Sequence, residues 1–308
     1  MSDTRAMGFV LAMVLLCLPG TGAAAEIWVH PGDTIQAAID SATIGDMIIV
    51  FPGTYSGEGN REISFGGKDL IVVSFTGPED TIIDCEGEAR AFALHDGETR
   101  ASIISGFSIV NGYAHTGGGI SIEGSSPEIL NCLFRNCVAF SVPSGGNTIY
   151  PGAGGGVYAT GGASPCIAGC TFAYCWAQGQ DSLYPYRGSG LLASYSTVEV
   201  DRCLFVDGRG GAALVAMISS IDVSRCVFFE NTEVGFDWTS DSTLEVDANV
   251  CDRGQDASYE FCSDSVCLPS GNEWGVQVGA LGVGCGPCNT PVETMSWGAI
   301  KALYREPR

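Results

Sequence analysis

The sequence predicts an all-β solenoid, a parallel coil of short strands, on three observations. A six-residue phrase recurs along the chain, a glycine phrase precedes it at a nearly fixed distance, and the text between is too rich in glycine and turn residues for long helices. Cys132-Leu-Phe-Arg-Asn-Cys137, Cys170-Thr-Phe-Ala-Tyr-Cys175, Cys203-Leu-Phe-Val-Asp-Gly208 and Cys226-Val-Phe-Phe-Glu-Asn231 share Cys-x-Phe followed by a turn-forming or small residue. Phe107-Ser-Ile-Val-Asn-Gly112 and Asn249-Val-Cys-Asp-Arg-Gly254 read as degenerate first and last copies. Successive copies start 25, 38, 33, 23 and 23 residues apart, a period of 23 with extra residues inserted twice.

The glycine phrases are Gly117-Gly-Gly-Ile120, Gly154-Gly-Gly-Val157, Gly188-Ser-Gly-Leu191 and Gly210-Gly-Ala-Ala-Leu214, each closing 12 or 13 residues before the next repeat cysteine. The insertions therefore fall at one place in the repeat, after the Phe motif and before the glycines, and occupy residues 138–153 and 176–187. Within a repeat, Ile120-Ser-Ile122 alternates, Gly124-Ser-Ser-Pro127 turns, Ile129 to Phe134 resumes the strand pattern and Asn136-Cys137 bends. Strands this short bury an apolar face only when identical rungs stack, so the repeat cysteines and Phe134, Phe172, Phe205 and Phe228 should form interior columns. A leucine-rich solenoid has a similar period, but its Leu-x-x-Leu-x-Leu-x-x-Asn ladder is absent.

Taken in order, residues 1–25 read as a secretory signal: Arg5 precedes an apolar run from Met7 to Leu18, and Ala23, Ala24 and Ala25 offer a cleavage site. Lipid attachment is not expected, because Cys17 follows Leu16 rather than a small residue. Ile27-Trp-Val29 then reads as a strand, Pro31-Gly32 as a turn, and Asp33 as the N-cap of a short helix with Ile35, Ala38, Ile39 and Ala42 on one face. Met47 to Phe51 is a second strand closed by Pro52-Gly53-Thr54-Tyr55, and the helix lies ready to lid the open end of the stack.

The segment Gly32-Asp-Thr-Ile-Gln-Ala-Ala-Ile39, followed by Gly45-Asp-Met-Ile-Ile-Val-Phe-Pro-Gly-Thr-Tyr55, resembles the N-terminal cap and first coil of the pectin-lyase-like proteins. The resemblance implies a single-stranded right-handed parallel β-helix over residues 26–251, with the short N-terminal capping helix, a Cys-rich C-terminal cap at 252–289 and a tail at 290–308. The glycine and Phe motifs also resemble, more distantly, the repeats of polymorphic outer-membrane proteins, where Phe228 to Asn231 alone matches FxxN. In the tail, Trp297, Ile300 and Tyr304 share one helical face, which suits either an attachment segment or packing on the last rung.

A formal charge of -21 excludes a nucleic-acid or anionic-lipid partner, since each requires a basic face, and no later stretch is long and apolar enough to cross a bilayer. Export is therefore the expectation, to the medium or the cell surface. Removing the signal leaves 13 cysteines, an odd number. Disulfides are expected between Cys137 and Cys175, at equivalent bends of adjacent rungs, and among Cys262, Cys267, Cys285 and Cys288 in the C-terminal cap. In the last group Cys285-Gly-Pro-Cys288 has the spacing of a redox or zinc knuckle, but not the context.

For chemistry, the Asp-Asp pair and Gly-His-Gly segment of polygalacturonase-like hydrolases are absent, and a lyase would have to use Arg135, Arg202 or Arg225 as base, a role arginine fills poorly. Gln180-Asp-Ser-Leu-Tyr184 resembles the Gln-Asp-Thr-Leu motif of pectin methylesterases, which implies Asp181 as acid/base; the family's Val-Asp-Phe-Ile-Phe-Gly motif has no counterpart around Asp201 or Asp207. His30, His95 and His115 lack metal spacing, so no metal or cofactor is expected beyond loosely held calcium. The two insertions should emerge side by side and pack together, carrying Phe140, Tyr150, Trp176, Asp181, Tyr184, Tyr186 and Arg187, which combine flat apolar faces for sugar rings with groups that hydrogen-bond hydroxyls. The expected function is display of a face for polysaccharide or a cell-surface partner, with a carbohydrate esterase or lyase, or a structural envelope component, as alternatives.

Overall fold

The computed structural model describes residues 24–143, 149–179, 187–229, 231, 235–237, 243–247, 261–262 and 283–285. The repeat copy at 249–254 and the tail at 290–308 lie outside them. Three parallel sheets run the length of the coil. The first holds nine strands, from Glu26–Val29 and Met47–Val50 through Glu128–Leu130 and Cys166–Ala168 to Thr243–Asp247. The second holds six, from Phe92–Leu94 through Ile120–Glu123 and Val157–Thr160 to Gly235–Asp237. The third holds seven, from Gly53–Tyr55 through Leu133–Arg135, Thr171–Ala173 and Leu204–Val206 to Val227–Phe229. Each full rung passes from the second sheet to the first and then the third, and first to last strand of the nine spans about 38 Å at ~4.8 Å per step.

The repeated phrase lies in the third sheet and the bends flanking it. Phe134, Phe172, Phe205 and Phe228 pair in register and stack inside the coil, with centroids 4.7, 4.7 and 5.1 Å apart and planes within 8° of parallel. The repeat cysteines make a second interior column at the bend just before, where the amide of each donates to the sulfur one rung on: Cys132 to Cys170 at 3.5 Å, Cys170 to Cys203 at 3.4 Å, Cys203 to Cys226 at 3.3 Å. Phe107 occupies the cysteine position of the preceding rung, which is why Leu133 N–H donates to its carbonyl.

The glycine phrases exist for this column of rings. A Cβ on Gly156 would sit 2.6 Å from Phe172 Cδ1 and 2.7 Å from the Gly190 carbonyl oxygen, and Gly119 and Gly190 press as closely on Phe134 and Phe205. Ala213 takes the equivalent place one rung on, and there the ring spacing opens to 5.1 Å. The bends have their own requirement: residues just before the repeat cysteines adopt left-handed backbone, with φ of 50° at Asn131, 64° at Gly169 and 52° at both Arg202 and Arg225. Each arginine pays roughly 1 kcal/mol for that conformation, which the surrounding ladders impose.

The N-terminal lid forms as the sequence predicts, with two corrections. The helix is Ile35–Ser41, and its N-cap is Thr34, whose hydroxyl accepts from Ala37 N–H at 3.3 Å. Asp33 instead accepts from the His30 amide at 2.9 Å and closes the Pro31-Gly32 turn. Gly53–Tyr55 is not only a closing turn but the first strand of the third sheet. Tyr55 is buried there, its hydroxyl donating to Phe51 and Val29 carbonyls at 2.9 and 3.2 Å, and burial, with Asp33 nearby, pushes its pKa up to about 12. Ile35 and Ile39 close the core, and Lys68 caps the helix by donating to the carbonyls of Ile39 and Ala42.

On the outer face of the third sheet, exposure falls along one register column: Thr54 is exposed, Ile82 half-buried, and Ser108, Leu133, Thr171, Leu204 and Val227 are buried. The later rungs of this face are withdrawn from solvent, so ligand-accessible surface lies elsewhere.

Candidate functional site

Both insertions leave the coil just after the third-sheet strands. Tyr113–Ala114, Val138–Ala139 and Trp176–Ala177 pair as a small parallel sheet, with Tyr113, Val138 and Trp176 in one outward column and the three alanines turned in and buried. The insertion bases are hydrogen-bonded to each other: Gln178 N–H donates to the Ala139 carbonyl at 2.7 Å, while the Gln178 carbonyl accepts from Gly152 N–H at 2.9 Å and Ser141 Oγ at 2.8 Å. Val142–Pro143 and Ile149–Tyr150 continue the first insertion as an antiparallel hairpin.

The rings expected here remain largely outside. Tyr113 is 37%, Trp176 42% and Tyr150 58% exposed. Phe140 stacks on Tyr113 at 4.7 Å, and His115 lies tilted beside Phe140 at 6.1 Å with Nδ1 2.9 Å from the Phe140 carbonyl oxygen. Trp176 rests against the backbone of Gly210, where a Cβ would meet Cδ1 and Nε1 at 2.7 Å, and it pairs through the backbone with Arg209, whose guanidinium lies 5.8 Å over the Tyr174 ring. Arg187 is half-buried in a crevice that Gly179 and Gly211 leave open, since a Cβ on either would strike it. Asp181, Tyr184 and Tyr186 lie outside the described residues. The structure thus brings Phe140 and Trp176 to one patch, places Tyr150 on the hairpin rising from it and holds Arg187 in the crevice at the second insertion's return. It adds Tyr113, His115 and Arg209, which sequence reasoning passed over. Tyr113 was accessible by alignment, because it follows Gly112 as Val138 follows Cys137 and Trp176 follows Cys175.

The cysteine pairing expected at the bend is not formed. Cys137 and Cys175 are buried free thiols at equivalent corners of adjacent rungs, and each lies near a carbonyl of the preceding rung, Ile109 O at 3.5 Å and Phe134 O at 3.7 Å. Each thiol lies against its carbonyl and, across the rungs, against the other thiol, with no bond joining the two sulfurs. Burial pushes the Cys175 thiol well above its ordinary range. In the C-terminal region, Phe261–Cys262 pairs with Val283–Cys285, which sets Cys262 opposite Cys285 in the backbone; Cys267 and Cys288 lie outside the described residues.

Two carboxylates of the first sheet, Asp201 and Glu199, are engaged by cations. Asp201 accepts from Arg225 Nε at 2.8 Å and Nη2 at 2.5 Å, Arg202 Nε at 3.0 Å and Ser224 Oγ at 2.9 Å. Burial alone would raise its pKa, but the hydrogen bonds from Ser224, Arg225 and Arg202 together outweigh it and hold the carboxyl below its usual range. Glu199 forms a two-pronged bridge to Arg100 at 2.6 and 3.1 Å, and the Arg100 hydrogen bond lowers its pKa. Asp201 precedes the third-sheet strand and the insertions follow it, so this cluster lies at a different corner from the ring patch. Among the described residues no three His, Cys, Asp or Glu side chains converge as a metal site, and no helix is long and apolar enough to cross a membrane.

Residues 72–273 match the family model described as the right handed beta helix region, about two thirds of the chain. The chain belongs to the right-handed β-helix family. The parallel coil, its three sheets and its capping helix are therefore those of a right-handed parallel β-helix, as the resemblance in the sequence implies. A carrot pectin methylesterase is among the solved structures to which the chain is similar, at 10% identity and a TM-score of 0.29, with the alignment covering 75% of this chain and 87% of that one. No curated protein matches the β-helix chain.

Proposed function

We propose that this β-helix is an exported, non-catalytic protein that binds polysaccharide on the ring patch at the base of its two insertions. The observation that carries the reading is the outward column of Tyr113, Val138 and Trp176, with Tyr150 on the hairpin of the first insertion, its tyrosines and tryptophan exposed where the insertion bases are hydrogen-bonded together. An aromatic face kept in water by a rigid support suits the apolar face of a sugar ring, and the side chains around it serve its hydroxyls. The binding reading ranks above the esterase reading because the second methylesterase motif, Val-Asp-Phe-Ile-Phe-Gly, has no counterpart around Asp201 or Asp207, whereas the exposed rings are in place.

The test is a screen of the purified protein against neutral and acidic polysaccharides, scoring retention and bond or ester cleavage together. Retention without cleavage on at least one polysaccharide, lost there in a Trp176→Ala, Tyr150→Ala variant of unchanged melting temperature, is the expected result. Retention unchanged by the variant on every polysaccharide that the wild type binds removes the site. Ester release that Asp181→Asn abolishes replaces the binding reading with the esterase one.

A further inference from the structure

We propose that the first three rungs carry a second glycan site, separate from the insertions, in which Trp28, His30, Phe51 and Phe75 form an outer aromatic platform for an uncharged polysaccharide. The four rings come from three successive passes of the chain. His30 follows strand Glu26–Val29, Phe51 follows Met47–Val50, and Phe75 follows Ile71–Ser74, so their position in the rung repeats as the coil climbs. His30 and Phe51 stack at 4.3 Å, Phe51 and Phe75 at 5.0 Å, and Trp28 leans on both phenyl rings at 5.4 and 6.3 Å.

This cluster is not an end-plug for the core. The inward positions of the same strands are already filled by Val29, Ile48, Val50 and Val72, all buried, whereas Trp28 remains 45% and Phe75 58% exposed after all the ring contacts are made. Three exposed rings gathered around half-buried Phe51 form a patch that the fold does not need for its own packing. A stack whose outer members, Trp28 and Phe75, stay exposed suits a ligand that is apolar on one side and hydroxylated around its rim.

The charge around the platform selects among such ligands. Between residues 24 and 80 the cationic side chains are Arg61 and Lys68. Arg61 is paired with Glu86 and Glu88, and Lys68 is spent on the helix carbonyls. The loop that carries Phe75 instead exposes Glu79 and Asp80. Such a surface offers nothing to neutralise a uronate and repels a polyanion, while its carboxylates accept hydrogen bonds from sugar hydroxyls, so the ligand class is an uncharged glycan.

The experiment compares retention of the full-length protein on an insoluble neutral β-glucan and on immobilised polygalacturonate. Three forms are used: wild type, Trp28→Ala with Phe75→Ala, and Trp176→Ala with Tyr150→Ala. The expected result is glucan retention by wild type that falls roughly tenfold in the Trp28/Phe75 variant and persists in the Trp176/Tyr150 variant, with polygalacturonate retention unaffected by loss of Trp28 and Phe75. Trp28→Phe with Phe75→Tyr, which keeps the rings, should restore binding and guards against a folding defect. The proposal is overturned if wild type ignores the glucan, if the Trp28/Phe75 variant binds it unchanged, or if the tyrosine and phenylalanine replacements fail to rescue. It is also overturned if sedimentation shows that the alanine pair abolishes a dimer instead. Loss confined to the Trp176/Tyr150 variant supports the insertion site while sinking this one.

Discussion

Replacing Gly156 by Ala tests whether the glycine phrase and the Phe column are one device. The new methyl would lie 2.6 Å from Phe172 Cδ1 and 2.7 Å from the Gly190 carbonyl oxygen, both far inside contact distance. The ring cannot swing clear, because it is stacked at 4.7 Å on Phe134 below and Phe205 above. Overpacking of this kind costs about 1 to 3 kcal/mol, which exceeds the roughly 0.4 to 1 kcal/mol gained by restricting the unfolded chain. Phe172→Ala should itself cost about 3 to 5 kcal/mol through the cavity it opens. In the double variant the methyl enters space the ring has left, so the two costs should sum to more than the measured total by about 1 kcal/mol, the part of the clash that belonged to the ring. Urea midpoints and slopes for the four proteins of the cycle measure this. Strict additivity would mean that the glycine serves only the approach of the neighbouring backbone, and the coupling argument would fail.

Other expectations follow from the same geometry. The seven buried cysteines, Cys85, Cys132, Cys137, Cys170, Cys175, Cys203 and Cys226, should resist a thiol reagent in the native protein and react on denaturation, whereas half-buried Cys166 reacts sooner; two thiols that stay unreactive in denaturant until a reductant is added would reveal a Cys137–Cys175 bridge that the structure lacks. Asp201→Asn should cost about 1 kcal/mol at neutral pH. Because the carboxyl is held below its ordinary pKa, that stability is present above the unfolded value near ~3.9 and is lost as pH falls through the folded one, so the gap between wild type and variant should close in acid. A gap that widened in acid would reverse the assignment. Protein recovered after export should begin at Glu26, and sequencing that found residues 1–25 retained would refute the signal reading.

The architecture was legible because stacking repeats one requirement at every rung. The Phe column, the cysteine column and the glycines pressed against the rings each recur at the same place in the repeat, and a spacing of 23 residues is visible without coordinates. The shared exit of the insertions was equally legible, since it depends only on where the period breaks. What periodicity does not carry is the identity of a partner in space. Thr34 rather than Asp33 caps the helix because Asp33 is drawn back to the His30 amide, a contact no helical pattern reports. The bend cysteines share a register, but register fixes their height and not the direction of the thiol. The Trp28–His30–Phe51–Phe75 platform was missed because the passes that supply its rings, at His30, Phe51 and Phe75, are 21 and 24 residues apart in the least regular rungs, before the repeat phrase begins.

The most direct test of the central claim is a crystal structure of the protein with an oligosaccharide chosen by the retention screen. The account predicts a sugar ring lying face-on over Trp176, its carbons ~3.5 to 4 Å from the indole, beside Tyr113 and Tyr150. A sugar bound instead against Asp201 and Glu199, or no sugar at the insertions at a concentration that saturates binding in solution, would contradict it.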